Sequence, residues 1–239
     1  MCKRAVILAG GQGTRLRPYT VVLPKPLMPV GDYPILEVII RQLSHFGFKH
    51  ITLAVNHQAE IIKAYFGEGD KWGIRIDYSL ENIPLSTMAP LKLIDDLPEN
   101  FLVMNGDILT DLNFGLFYKY HVSHKHLFTI SAFNRTQCSE YGVLEVDEQD
   151  CLCGFREKPV INYDVSMGIY MLNRRALDFI PDAKPYGFDH LMYDMIKARK
   201  LPRIKRFDGY WLDIGRADDY IQAIEEFDQL KARFLPCYS

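Results

Sequence analysis

Between residues 4 and 104, short apolar runs rich in β-branched residues alternate with stretches whose apolar residues recur at helical spacing. Few architectures accept that alternation other than β-α-β units closing a mostly parallel, buried sheet. The runs predict strands over 4–8, 51–55, 74–79 and 101–104. Helices are expected from Pro34 to the stop at Gly47, over 58–66 before Gly67, and over 85–97. Beyond about residue 110 the pattern changes. Closely spaced strands are expected over 128–133, 142–146, 152–157 and 165–172, with helices over 174–180 and 188–198. The fold class is therefore α/β: a Rossmann-like, mostly parallel sheet flanked by helices, carrying an additional mixed-sheet lobe. No linker-like composition separates the halves, so 1–239 is expected to form one domain with two lobes, 1–110 and 111–239.

The chain has 239 residues, 48% hydrophobic and 24% charged, and its 28 cationic and 30 acidic side chains leave a net charge of -2. A length of this kind hides roughly 70 to 75% of the unfolded surface, and the composition excludes disordered, collagenous and heptad-built chains. The balanced charge gives no general pull toward nucleic acid or an anionic membrane. Five cysteines at 2, 138, 151, 153 and 237 lack metal-ligand spacing, and their odd, scattered placement suits a reducing compartment. The first apolar run breaks at Gly10 and Gly11, too early for a signal peptide, and no run approaches a membrane span. A soluble, cytoplasmic protein is expected.

In such sheets ligands collect at the carboxyl ends of the strands, which here carry Gly10, Asn56, Glu81 and Asp107. Directly after the first run comes Leu8-Ala9-Gly10-Gly11-Gln12-Gly13-Thr14-Arg15-Leu16-Arg17-Pro18. Glycines permit a tight turn and let backbone N–H groups approach phosphate oxygens. The loop lacks the Gly-Lys-Ser/Thr ending of the P-loop and the spacing of the dinucleotide fingerprint. Ten residues after Arg15, Pro24-Lys25-Pro26 presents one cation from a restrained backbone. A bidentate arginine and a point-charge lysine suit a triphosphate. Asp107, after a buried strand, and Asp213, within Trp211-Leu212-Asp213-Ile214-Gly215, read by themselves either as turn or helix caps or as two carboxylates that could converge on one Mg²⁺.

The stretch 8–37, with Pro24-Lys25-Pro26-Leu27-Met28-Pro29-Val30 and Pro34-Ile35-Leu36-Glu37, resembles the signature of the sugar-1-phosphate nucleotidylyltransferases. The similarity continues in order through Asn105-Gly106-Asp107, Tyr141-Gly142-Val143, Glu157-Lys158-Pro159, Gly168-Ile169-Tyr170 and the 211–215 segment. Within the family the look is closest to bacterial mannose- and heptose-1-phosphate guanylyltransferases. The resemblance implies an NTP, GTP first, and a sugar 1-phosphate as partners, with Mg²⁺ as cofactor. It implies that Leu8, Ala9, Gly10, Gly11, Gly13 and Thr14 wrap the nucleotide with Asn105 and Gly106, while Glu81, Ser86 and Thr87 belong to the loop at the base. Arg15 would hold the β- and γ-phosphates and Lys25 would bridge phosphates near the reacting centre. These two join the metal ligands Asp107 and Asp213 as the catalytic set. Lys158 would bind the sugar phosphate, Glu157 the sugar hydroxyls, and Tyr141, Gly142, Ser166 and Gly168 would face the sugar. Some members continue past this length into a left-handed β-helix, which this sequence is expected to lack.

Two segments depart from the family pattern. Ser86 stands where a glycine is usual, followed by Met88 where bulk is unusual, and Ser166 replaces an asparagine of longer reach. A catalytically silent nucleotide-sugar sensor is therefore an alternative to the enzyme, as is the same chemistry with UTP, CTP or dTTP. A nicotinamide oxidoreductase is disfavoured, because Leu27 to Val30 occupy the position of its ribose-binding acid. His121, His124 and His126 do not converge as metal ligands. Asn56 and His57 read equally as a helix cap or a base contact, Trp211 as core or a supporting residue, and the aromatic tail 227–238 as packing or part of a subunit interface. A homodimer is the default oligomer.

Overall fold

The computed structural model describes residues 3–11, 13–56, 58–81, 83–182 and 184–235. Along the chain, β1 (Lys3–Leu8) enters the glycine-rich loop and three 3₁₀ turns, Thr14–Leu16, Tyr19–Val21 and Lys25–Leu27. A small ribbon of β2 (Pro29–Val30) and β3 (Tyr33–Pro34) precedes α1 (Ile35–His45). Then come β4 (Phe48–Val55), α2 (Ala59–Phe66), β5 (Arg75–Leu80), β6 (Asn100–Asn105), β7 (Ile108–Thr110) and α3 (Phe114–Ser123). The second half holds β8 (Phe128–Cys138), the hairpin of β9 (Val143–Val146) and β10 (Leu152–Arg156), and β11 (Val160–Asn173). It closes with α4 (Phe188–Lys197), β12 (Arg203–Phe207), β13 (Trp211–Asp213) and α5 (Ala217–Phe234).

Seven strands form one sheet in the order β12-β8-β11-β6-β1-β4-β5. β1 pairs in parallel with β4 and β6, β4 with β5, and β12 with β8; β11 alone runs antiparallel, between β6 and β8. The Val6 and Ile7 side chains, on opposite faces of β1, enter two different apolar clusters, which explains why the central runs read as continuously apolar. One cluster gathers α1, with Ile35, Leu36, Ile39 and Leu43 fully buried, together with Phe227 and Phe234 of α5. The other holds Leu85, Met88, Leu91, Phe128 and Leu191. No described helix is long and apolar enough to cross a membrane.

Several expectations are corrected. Residues 85–97 are turns around a 3₁₀ segment, Ala89–Leu93, and not a helix. Leu85, Met88, Leu91, Ile94 and Leu97 are all buried and recur every third residue, the period of a 3₁₀ turn and not of an α-helix. The strands expected over 128–133 and 165–172 extend to Cys138 and back to Val160. There they leave the core as a two-stranded ribbon with solvent on both faces, so apolar alternation stops before the strands do. α3, β12, β13 and α5 were not anticipated. Asn113 starts α3 by accepting the Leu116 N–H at 2.9 Å, satisfying a backbone donor of the first turn. The aromatic tail packs as expected as far as Phe234; residues 236–238 lie outside the described residues, as do Gln12, His57, Asn82, Cys2 and Cys237.

Candidate active site

The carboxyl ends of β1, β4 and β6 meet in one cleft. Ala9 donates to Ala54 O at 2.8 Å and Gly106 to Leu8 O at 3.0 Å, so the glycine-rich loop starts from a fixed platform. A β-carbon on Gly106 would lie 3.2 Å from Leu8 O, a close backbone approach that glycine permits. Asn56 lines the cleft and donates its side-chain amide to Gly10 O. It is thus neither a side-chain cap nor set aside from the site, and it ties the loop to β4. Gly13 turns with φ 62, and Thr20 locks the turn by donating to Gly13 O at 2.6 Å.

Two contiguous cavities share Leu8, Gly11 and Asp107. The first, about 250 Å³, is lined by Leu8, Ala9, Gly11, Gly13, Thr14, Arg15, Lys25, Gly106 and Asp107, joined by Pro26 and Gly215. It carries both candidate phosphate cations on a glycine-rich wall. The second, about 380 Å³, is lined by Gly10, Asn56, Glu81, Pro84, Ser86, Thr87 and Asn105, together with the three shared residues. Every nucleotide-binding residue expected from the sequence therefore faces one of the two cavities.

Asp107 and Asp213 are brought together by the β7–β13 ribbon, in which Asp213 stands opposite Ile108 and Ile214 donates to Asp107 O at 3.0 Å. Lys25 is ion-paired with Asp107. Gly215 donates its N–H to Asp213 Oδ1 at 3.0 Å, and a β-carbon on Gly215 would sit 2.9 Å from that oxygen and 3.0 Å from Lys25 Cε. Sequence reasoning passed over Gly215, although its place two residues after Asp213 marked it. Burial pushes the Asp107 carboxyl above its ordinary pKa; Lys25 pulls it down, and the Asp213 charge adds to the rise. Two oxygen ligands beside a phosphate-sized cavity suit Mg²⁺, which takes one or two carboxylates and fills its shell with phosphates and water. The donor set thus fits that ion.

At the other cavity Glu81 accepts the Leu85 N–H through Oε2 at 3.2 Å, while its Oε1 lies 3.1 Å from where a Gly10 β-carbon would stand. Burial raises the Glu81 pKa and the Leu85 N–H lowers it, with a net rise. Ser86 has φ 68, the left-handed region that a glycine would enter without cost. The surrounding loop is tied to a segment 100 residues away: Tyr186 donates to Leu85 O, Met88 to Tyr186 O, and Phe188 to Thr87 Oγ1, each at 2.9 Å.

Among the residues expected to face a sugar, β11 bulges after Ser166, where Gly168 has φ 72 and packs so closely that a β-carbon would be 2.6 Å from Asn105 Nδ2. The bulge therefore touches the cleft through Asn105. Trp211 supports it from the core, donating to Met167 O at 3.0 Å. The Ser166 hydroxyl donates to Tyr170 Oη at 3.1 Å and accepts the Gly168 N–H at 3.3 Å, so it braces the bulge. Tyr141, Gly142, Glu157 and Lys158 line neither cavity. They gather at the β9–β10 hairpin, where a Gly142 β-carbon would be 3.2 Å from Glu157 Oε2 and 2.6 Å from Phe155 Cε2. His121 is fully buried against Thr129, away from the cleft, and no cluster of three metal-ligating side chains occurs among the described residues.

Comparison with known proteins agrees with this geometry. The nucleotidyl transferase family matches residues 4–229. A mannose-1-phosphate guanyltransferase of Yarrowia lipolytica is 35% identical over 91% of the chain and 62% of its own length. A UTP–glucose-1-phosphate uridylyltransferase of Synechocystis is 33% identical over 92% and 62%. The chain thus spans about three fifths of these relatives. The crystal structure of HddC from Yersinia pseudotuberculosis complexed with GMP-PN superposes with a TM-score of 0.71 and 25% identity, covering 94% of this chain and 99% of that one. By its sequence match, its mostly parallel sheet and its nucleotide-sized cleft, the chain belongs to the nucleotidyl transferase family.

Proposed function

We propose that the protein transfers a nucleoside monophosphate, from GTP in preference, to a sugar 1-phosphate in the cytoplasm, releasing pyrophosphate. The observation that carries this reading is the continuity of the two cavities through Asp107. One end bears Arg15 and Lys25 for the phosphates, and the other bears Glu81 for the base. A carboxylate acceptor suits the N1–H and 2-amino donors of guanine. An oxygen of the sugar phosphate attacks the α-phosphorus in line; the new P–O bond forms as the bond to the β-phosphate oxygen breaks, and pyrophosphate leaves. A phosphate nucleophile is already ionised, so the protein supplies positioning and charge neutralisation, with no base of its own.

Arg15 and Lys25 offset charge on the departing pyrophosphate, and the wall of glycines places N–H donors against its oxygens. Asp107 and Asp213 would hold Mg²⁺, which supplies polarisation of the α-phosphate and charge neutralisation. Lys158 and Glu157 would receive the sugar phosphate and its hydroxyls from the β9–β10 side, with Tyr141 and Gly142 beside them and the Gly168 bulge as the junction to the cleft.

Pyrophosphate release across GTP, UTP, CTP, dTTP and ATP, against hexose and heptose 1-phosphates, tests the reading. One productive pair, with Asp107→Asn slower by about 10²-fold or more and an unchanged circular dichroism spectrum, is the expected result. Near-normal turnover in Asp107→Asn would overturn the metal assignment. Nucleotide-sugar binding without turnover on any pair would favour a sensor.

A further inference from the structure

Five non-glycine residues have positive φ among the described residues: Ser86, Lys125, Asp150, Lys158 and Arg199. Of these, Ser86 alone lines the cavities of the cleft. A serine in the left-handed region is disfavoured by its β-carbon, and such a residue persists only where its surroundings over-determine it. Here they do. Leu85 is held by Glu81 Oε2 at 3.2 Å and by the Tyr186 N–H at 2.9 Å, Thr87 by the Phe188 N–H and Met88 by Tyr186 O, both at 2.9 Å. Leu85 and Met88 are also buried, at 7% and 0% exposure.

All these tethers act through the neighbours of Ser86. None of the described residues takes its hydroxyl, which projects past Gly187 at a spacing where a β-carbon on that glycine would be 3.0 Å away. A glycine at position 86 would accept the same backbone more readily, so the serine side chain does not serve the fold. Ser86 lines the same cavity as Glu81, and rotation of its side chain would turn one O–H donor toward that cavity.

The geometry points to Ser86 as a specificity-determining residue that donates to the six-position carbonyl of guanine, while Glu81 accepts from N1–H and the 2-amino group. This deepens the GTP preference proposed above and rests on it. Along one edge guanine presents an acceptor, the six-position carbonyl, followed by two donors, N1–H and the 2-amino group, which matches one hydroxyl beside one carboxylate. Uracil and thymine carry carbonyls on both sides of their single N–H, so one carbonyl would face Glu81. Adenine offers a donor where the Ser86 hydroxyl needs an acceptor.

The test compares kcat and KM for GTP, ITP and 6-thio-GTP in the wild type, Ser86→Ala and Ser86→Gly. Sulfur is a poor acceptor in place of the carbonyl, and ITP lacks the 2-amino group. The expected wild type disfavours 6-thio-GTP by about tenfold, the equivalent of one modest hydrogen bond. Ser86→Ala raises KM for GTP by about tenfold at unchanged kcat and uses GTP and 6-thio-GTP alike. Ser86→Gly behaves the same with an equal or higher Tm, which separates lost recognition from lost folding. A wild type that uses GTP, with the same preference over 6-thio-GTP retained in Ser86→Ala, would overturn the role of Ser86 while leaving GTP in place. A wild type that works with a pyrimidine nucleotide and not with GTP would overturn the guanine reading itself and this assignment with it, whereas equal use of ITP and GTP would overturn the contact of Glu81 with the 2-amino group.

Discussion

Gly215 and Lys25 compete for one volume: a β-carbon on Gly215 would stand 3.0 Å from Lys25 Cε and closer still to its ammonium group. The glycine is what lets the lysine reach Asp107. Gly215→Ala should push Lys25 off the carboxylate and lower kcat by about one to two orders of magnitude, much as loss of one charge-stabilising donor does. Steady-state kinetics beside a thermal melt checks this, since the exchange lies at the cavity wall and should leave Tm within a few degrees.

Gly168 joins the sugar-side bulge to the nucleotide cleft. Gly168→Ala places a methyl group 2.6 Å from Asn105 Nδ2 and 2.9 Å from Ile108 Cδ1 at a φ of 72. Clash and left-handed backbone together should cost about 1 to 3 kcal/mol in urea denaturation. The displaced Asn105 should also raise KM for the nucleotide.

Asn56 holds the glycine-rich loop through Gly10 O. Asn56→Ala should weaken nucleotide binding by about tenfold in calorimetry, the scale of one hydrogen bond. Asn56→Asp should be worse, because a carboxylate would face a carbonyl and an incoming anion.

His121 gives the fold a pH dependence outside the cleft. It is fully buried, with Nδ1 at 2.8 Å from Thr129 Oγ1, and burial with the charge of His126 lowers its pKa from the ordinary 6.5 to about 4. Below pH 6.5 the unfolded chain takes up a proton that the folded chain refuses, so stability falls as pH drops toward 4. Between pH 7.5 and 5 the loss should be about 2 kcal/mol. Urea denaturation at both values measures it, and His121→Leu should flatten this part of the slope.

The end of the cleft proposed for the phosphates was legible because it is local: Gly10 to Lys25 carries both cations and the turn that presents them, within one β-loop unit. Asp107 was equally legible at the end of an apolar run. The base end was less so. Its loop is shaped by hydrogen bonds to Tyr186 and Phe188, partners too distant in sequence to leave a trace near Ser86, and its three-residue apolar period passes for helix unless 3.0 is separated from 3.6. β12 was hidden because an edge strand reading Arg203-Ile204-Lys205-Arg206-Phe207 protects itself with charge. The β8–β11 ribbon beyond Phe133 was hidden because no core faces it. For Gly215 the missing information was steric: only the folded chain shows which side chain occupies its space.

β8 and β11 both run from the central sheet into the solvent-exposed ribbon, and their pairing is interrupted only at the Ser166–Tyr170 bulge. Any movement of Lys158 and the β9–β10 hairpin toward the cleft must travel as a bend along two paired strands. Such a bend is felt at the Ser166–Tyr170 bulge, next to Asn105. If the lobe receives the second substrate as proposed, a load applied there would reach, along one strand, the wall on which Gly168 meets Asn105.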